Sequence, residues 1–216
     1  MDHFTLHEDP ISPNCYKIRL SAALLSIPLE RRTYSILKGE TRTPEFLQTI
    51  SSFGRIPVLQ IGDSTFLTES NAACFYLADV ASSSKSESSP TLIPRDPLDR
   101  AQMLRWMFFE QNQHEVNIAT LRYWLLIIGK DHLEAARIAQ LDGKRKAGEQ
   151  VLDCMNEHLT MSKSGWFVGD SISLADVCLF AYTHVSHHAG FDLGNWPAVQ
   201  KWCEKVKTLE NYVEMD

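Results

Sequence analysis

The stretch that decides the fold is Gly54-Arg55-Ile56-Pro57-Val58-Leu59-Gln60-Ile61-Gly62-Asp63-Ser64-Thr65-Phe66-Leu67-Thr68-Glu69-Ser70-Asn71. Val58–Ile61 and Thr65–Thr68 are short strand-like runs, and Gly62-Asp63 between them suits a tight turn, so together they read as a hairpin. Ser70 then caps a helix expected to run through Ala81. Ahead of the hairpin, a glycine loop feeds Pro57 at the mouth of a strand, a place where a cis peptide bond fits.

Working toward the N-terminus, residues 3–7 (His-Phe-Thr-Leu-His) alternate like a strand. Ser12-Pro13 is an N-cap followed by proline at the first helical position. An amphipathic helix is expected from Asn14 to about Ser26, where Pro28 stops it. Residues 30–36 read as a second strand. Thr43-Pro44-Glu45 repeats the cap signature and opens a shorter helix to Ile50. The order β-α-β-α-β-β-α over residues 1–81 is that of a thioredoxin-like domain.

Toward the C-terminus the composition changes. Eight of nine prolines lie at or before position 97, and the ninth is Pro197. A long stretch without proline reads as helix. Residues 82–97 (SSSKSESSPTLIPRDP) hold six serines and three prolines. They read as a linker, placed at 82–95, with Leu92-Ile93-Pro94 apolar enough to dock. From Asp96-Pro97, the residues Leu98, Met103, Leu104, Met107 and Phe108 recur at helical spacing, and the pattern continues to Trp124 and Ile128. Further helices are expected from His132 to Met161, Leu174 to His187 and Pro197 to Leu209. The expected fold class is an α/β thioredoxin-like N-terminal domain (1–81) followed by an all-α helical domain (96–216).

With 216 residues, 44% apolar, the chain can bury a core without staples. Lys plus Arg is 21 and Asp plus Glu is 27, a net charge of −6 with no basic run, which argues against a nucleic-acid partner. No apolar run approaches the ~20 residues of a membrane span. Met1-Asp2-His3-Phe4 has neither a basic n-region nor an apolar h-region, so no secretory signal is read. Five cysteines with no C-x-x-C spacing fit a reducing, cytoplasmic compartment and no zinc site. His184, His187 and His188 share a helical face, but no acid or cysteine sits at ligand spacing, and they read as a wet helix end. No metal is expected.

Ile11-Ser12-Pro13-Asn14-Cys15 sits where a strand ends and a helix begins, at the positive end of that helix. In a thioredoxin-like domain a dithiol enzyme would carry Cys at both 12 and 15; Ser12 excludes exchange by that pair. A hydroxyl here is an N-cap, and it also suits a bound anion, a thiolate included. A cis Ile56–Pro57 bond would offer the Ile56 backbone to an extended peptide. Glu69 can take an ammonium and Ser70 a carboxylate, or the two simply open a capped helix. Together the three loops match a short thiol peptide with a free amine and carboxylates.

These residues resemble the cytosolic glutathione transferase family over essentially the whole chain. Ser12-Pro13-Asn14-Cys15-Tyr16-Lys17-Ile18-Arg19-Leu20 is similar to the active-site stretch of serine-type members, above all a bacterial and fungal group with the pattern S-x-N-x-Y-K-x-R-L. Gly54 to Leu59 resembles the cis-proline motif, and Leu67-Thr68-Glu69-Ser70 the γ-glutamyl-binding motif. Arg105 to Gln111 resembles the opening helix of the α domain, and Ser173-Leu174-Ala175-Asp176 the helix-capping box. Where the family usually carries Asn-Pro before the glycine loop, this chain has Ser51-Ser52.

The resemblance implies that Ser12 donates to the glutathione sulfur, with Asn14 as a candidate second donor. It implies Ile56 and Pro57 for the cysteinyl backbone, Glu69 and Ser70 for the γ-glutamyl end, and Arg55 or Lys38 for the glycyl carboxylate. Cys15, three residues past the catalytic position, is expected to pack beside the site. A homodimer is implied, with glutathione as co-substrate and an electrophile pocket between the domains, for which Phe109, His114, Arg122 and Tyr123 are candidates. The expected reaction is thiolate attack on a small hydrophobic electrophile. A glutathione-dependent cis–trans isomerase, a transferase of secondary metabolism and a non-catalytic regulatory or assembly module stay open as alternatives.

Overall fold

Phe4–Glu8 forms β1, and all five residues are buried. The computed structural model describes residues 3–84 and 91–216. β1 pairs in parallel with β2 (Glu30–Thr33), Leu6 opposite Arg31, and antiparallel with β3 (Val58–Ile61), Leu6 opposite Leu59. β3 turns into β4 (Thr65–Thr68), Leu59 opposite Leu67, giving the sheet order β2-β1-β3-β4. The period of two sends Phe4, Leu6 and Glu8 to one face of β1 and Thr5 and His7 to the other.

The first face carries α1 (Pro13–Leu24) and α3 (Ser70–Ser84), which also pack on each other. There Phe4 meets Tyr76 of α3 edge-on. On the opposite face His7 stacks on Tyr34, and Tyr34 meets Phe46 of α2 (Pro44–Thr49) at 4.9 Å. Cover on both sides is why β1 is wholly buried, while edge strand β2 is exposed throughout. Leu6, Ile18, Leu20, Leu59 and Leu77 are fully buried, each stabilising by about 1.5–3 kcal/mol.

Local chemistry explains most boundaries. Ser12 caps α1 and Pro13 is its first residue. α1 stops at Leu24, short of the expected Ser26, because Ser26 adopts φ 55. β2 ends at Thr33 rather than 36, since the Ile36 N–H turns to the Asp9 carboxylate at 3.0 Å instead of a strand carbonyl. α3 runs on to Ser84, into the expected linker; residues 85–90 of that linker lie outside the described residues, and Leu92 beyond them is buried.

By packing the chain divides into two units, Met1–Ile93 with Leu209–Asp216, and Pro94–Thr208. The segment 209–216 thus joins the first unit, whereas a single domain over 96–216 was expected. The second unit is helical. Asp96 caps α4 (Pro97–Phe109) through bonds from Leu98 N and Asp99 N. The helical path continues through wide π turns (Glu110–Ala119), α5 (Thr120–Arg122) and a second π stretch (Tyr123–Gly129).

The helix expected over His132–Met161 is interrupted: a 3-10 turn (Lys130–His132) and α6 (Ala135–Ile138) precede α7 (Leu141–Met161). Leu133 takes an extended backbone, φ −74 and ψ 134, and buries its side chain, so tertiary burial overrides helix propensity. α8 (Leu174–Thr183) stops before His187, and a 3-10 turn over Ser186–Ala189 is closed by Gly190 at φ 84. α9 (Pro197–Lys207) completes the unit.

Two contacts lock this helical core. Asp176, fully buried, accepts from Ser173 N and Oγ (both 2.9 Å), Phe167 N (3.1 Å) and Trp202 Nε1 (3.0 Å), joining the capping box of α8 to α9. Burial pushes its carboxyl up while these donors hold it down, with burial the larger effect. Gly148 of α7 lies against Phe191, where a Cβ would come within 2.4 Å of the ring. Among the described residues no helix is long and apolar enough to cross a membrane.

Candidate functional site

Ser12 stands at the end of the turn between β1 and α1, with φ −88 and ψ 117. Its Oγ accepts from Cys15 N–H at 3.5 Å, a long bond that does not use the hydroxyl's own proton. The first turn of α1 leaves N–H groups that the helix itself does not pair, so this corner is electropositive. Cys15 is fully buried, and burial pushes its thiol up to about 12, opposed by the Ser12 hydroxyl. A thiol so held is protonated at neutral pH, and the thiol form is the poor nucleophile of the pair.

Asn14, half-buried, accepts the Ser70 hydroxyl proton on Oδ1 at 3.2 Å. That bond brings two residues singled out by the sequence together, from the first turns of α1 and α3. It also orients the Asn14 amide, directing its nitrogen away from Ser70 as a donor. One helical turn on, Lys17 is fully buried and its Nζ donates to Asn71 Oδ1 at 3.2 Å. Lys17 lies three residues past Asn14, a spacing that puts both on one face of α1 and lets each join it to α3.

Ser70 is the first residue of α3 rather than its cap. The carbonyl of Glu69 accepts the first helical bond, from Ala73 N at 3.0 Å, which places the cap at Glu69. Glu69 adopts φ 68 and is exposed. A left-handed backbone at a non-glycine residue costs ~1–2 kcal/mol and is found at sites where position outweighs strain.

The Ile56–Pro57 bond is cis. Among the described residues the N–H and carbonyl of Ile56 take no hydrogen-bond partner, and the residue is half-buried. Gly54 adopts φ 59 and approaches the Thr41 backbone and the Arg42 side chain so closely that a Cβ would lie 2.7 Å from the Thr41 carbonyl oxygen. Arg42, not foreseen from sequence, donates to the Phe53 carbonyl at 2.8 Å. The segment carrying Lys38 is thereby tied to the loop carrying Arg55. Lys38 and Arg55 are both exposed.

The four residues proposed for an electrophile pocket lie in the second unit and divide into two pairs. Phe109 is half-buried, edge-on to Trp106 at 5.1 Å, and lines an open cavity of about 590 Å³ with Arg105, Phe108 and Gln111. Tyr123 is exposed. His114 is fully buried; since Thr183 donates its own proton to the Leu179 carbonyl, His114 Nε2–H is the donor to Thr183 Oγ1 at 2.9 Å. Arg122 is buried, with Nε 3.4 Å from His188 Nδ1, and burial lowers its pKa. His114 and Arg122 are thus engaged with residues of the α8 region, while Phe109 and Tyr123 reach the surface.

His184 is not at a wet helix end. It stacks on Phe180 at 4.6 Å and donates from Nδ1 to the Phe180 carbonyl; burial lowers its pKa to about 4. Among the described residues no group of three or more His, Cys, Asp or Glu is placed to hold a metal ion.

Residues 11–80 match the family model described as Glutathione S-transferase, N-terminal domain, and residues 117–210 the model Glutathione S-transferase, C-terminal domain. The crystal structure of a glutathione S-transferase from Pseudomonas fluorescens Pf-5 is 38% identical, with a TM-score of 0.85 over 98% of each chain. Glutathione S-transferase F14 of Arabidopsis thaliana is 34% identical over 176 residues; the match takes in 79% of this chain but 66% of that relative's length. Ure2p in complex with glutathione shares the fold at a TM-score of 0.83 and 20% identity, over 97% of this chain and 91% of that one. With both family models matched in order, and near-complete coverage of a solved transferase, the chain belongs to the glutathione S-transferase family.

Proposed function

We propose that the protein is a serine-type glutathione transferase that activates the glutathione thiolate for attack on a small hydrophobic electrophile. Ser12 donates its hydroxyl proton to the glutathione sulfur, and Asn14 supplies a second donor. The backbone of Ile56, beside the cis Pro57, pairs with the cysteinyl residue like an added strand. Glu69 takes the γ-glutamyl ammonium and Ser70 its carboxylate. Arg55, with Lys38 on the adjoining segment, takes the glycyl carboxylate.

The Ser70–Asn14 hydrogen bond carries this reading, because it couples the loop of the activating hydroxyl to the loop that would hold the γ-glutamyl end. Magnitudes support it. A free thiol has a pKa of ~8.5, and lowering it by about two units takes ~2.7 kcal/mol. One hydrogen bond to a charged acceptor supplies ~1.5–3 kcal/mol, and a helix N-terminus ~0.3–2 more. No general base is required. The Ure2p complex supports the ligand, since a protein of the same fold holds glutathione.

In this reading the protein works as a homodimer in the reducing cytoplasm. Five free cysteines suit that compartment, and Phe53, 75% exposed, offers apolar surface to a second copy. Phe109 and Tyr123 contact the electrophile, and the buried pair His114 and Arg122 supports the helix that presents them.

The test is the ultraviolet thiolate absorbance of bound glutathione, titrated with pH. Thiolate appearing well below the free-thiol range supports activation; bound glutathione that titrates like the free thiol overturns it in favour of a regulatory module. Product analysis then separates conjugation from isomerisation, in which glutathione is not consumed.

A further inference from the structure

Arg19 lies on α1, buried, and its guanidinium is shared among three groups. Nε lies 3.2 Å from Glu8 Oε2, Nη1 donates to Asp216 Oδ2 at 2.8 Å, and Nη2 donates to the Pro10 carbonyl at 3.2 Å. Glu8 ends β1, Pro10 is the middle of the turn Asp9-Pro10-Ile11, and Ser12 follows. The rest of that turn is held by Asp9, whose Oδ1 accepts from Ile11 N at 3.3 Å and whose carbonyl accepts from Ser12 N at 3.0 Å. Arg31 of β2 bonds both Glu8 and Asp216, closing a ring in which carboxylates and guanidiniums alternate. Glu8 is fully buried, and both arginines stand against its carboxylate. A second tether holds the same segment to α1: the Tyr16 hydroxyl donates to the Val213 carbonyl at 2.8 Å.

We propose that the segment Leu209–Asp216 is a latch on the Ser12 turn, with Asp216 a remote positioning residue acting through Arg19 and the Pro10 carbonyl. Asp216 is the corner of the ring most open to water, its side chain 48% exposed against 7% for Arg19 and 0% for Glu8. Loss of the Asp216 carboxylate leaves Arg19 Nη1 and Arg31 Nη2 without their acceptor, and frees Arg19 to swing off the Pro10 carbonyl. A hydroxyl aimed at a sulfur tolerates only ~0.5 Å of drift before the interaction weakens. The catalytic consequence rests on the glutathione reading; the latch itself does not.

Asp216→Asn and Asp216→Glu test the latch on the full chain. Amide hydrogen exchange in the peptide covering 9–12 reads the latch without glutathione, and should be roughly tenfold faster in Asp216→Asn and near wild type in Asp216→Glu. With glutathione, Asp216→Asn should raise the pH at which bound thiolate appears by about half a unit and lower kcat roughly fivefold. KM for glutathione should stay within about twofold, because Asp216 touches none of the groups proposed to bind it. Tyr16→Phe, which removes one hydroxyl from a buried ring, should move exchange and kcat the same way by less, and serves if Asp216→Asn does not fold. Wild-type exchange and thiolate titration in these variants, even with a lowered melting temperature, would overturn the latch. Faster exchange at 9–12 in a protein whose wild type activates no thiolate would uphold the latch and overturn the glutathione reading instead.

Discussion

The Ser70 hydroxyl donates to Asn14 Oδ1 at 3.2 Å across 56 positions of sequence, joining the first turns of α3 and α1. If Ser70 also meets the γ-glutamyl carboxylate, its removal disturbs ligand and brace together. Ser70→Ala should weaken glutathione binding about tenfold, equivalent to ~1.4 kcal/mol, with a stability loss of ~1 kcal/mol. Titration calorimetry with glutathione, alongside urea unfolding, separates the two; an unchanged Kd would remove Ser70 from the ligand site.

Asp176 carries the heaviest polar load in the helical unit. Asp176→Ala leaves the N–H of Phe167, the N–H and hydroxyl of Ser173, and the indole N–H of Trp202 buried without their shared acceptor. Each such loss costs ~1–3 kcal/mol, so the variant should lose at least ~3 kcal/mol and express poorly. Asp176→Asn keeps acceptor capacity on one atom only and should fall between. A melting temperature for Asp176→Ala within a degree or two of wild type would contradict the capping-box account.

The hairpin and its flanks were legible because their signals are local: Gly62-Asp63 makes the turn, Pro57 opens a strand, and Ser12 and Thr43 cap helices ahead of prolines. The break at Leu133 and the early end of α8 were not, because burial against distant residues decides them rather than spacing. The candidate site shows the same division. Ser12, Ile56, Pro57 and Glu69 stand out in short motifs, whereas the Asn14–Ser70 bond, the Arg42 tie to Phe53 and the ring of Glu8, Arg19, Arg31 and Asp216 join segments far apart in the chain. The different burial of His114 and Tyr123 accompanies wide π turns, which rotate side chains off the faces that a 3.6-residue period assigns.

Stability should fall on acidification through two histidines. His7 is buried; Gln60 gives its amide nitrogen to the carbonyls of Gly62 and Asp63, so its oxygen accepts from His7 Nε2 while Tyr34 OH pairs with Nδ1. Burial lowers the pKa of His7, and that of His184 to about 4, where Lys207, Arg122 and His187 add repulsion to any charge. Both folded values lie below the unfolded 6.5, so the native state favours the neutral rings. Their contribution is fully present above pH 6.5 and is lost as pH falls toward 4. Urea unfolding between pH 7 and 4 should show a declining free energy. His184→Phe, which keeps a ring against Phe180, should flatten that decline; an equal slope in the variant would remove His184 as a cause.

Ser12 and Cys15 share one corner, and their substitution should separate activation from packing. Ser12→Ala removes one hydrogen bond to a charged sulfur, ~1.5–3 kcal/mol, so kcat should fall roughly 10- to 150-fold while glutathione affinity changes little. It also removes the cap of α1, lowering stability by ~1 kcal/mol. Ser12→Thr keeps both the cap and a hydroxyl and should recover most of each. Cys15→Ser should leave turnover within about twofold, because a thiol held near 12 is already protonated, and should cost stability instead by removing a sulfur that is fully buried. The decisive comparison is steady-state kinetics of Ser12→Ala and Cys15→Ser with one electrophile. Loss confined to Cys15→Ser would move the chemistry from the hydroxyl to the thiol, against the burial that keeps Cys15 protonated.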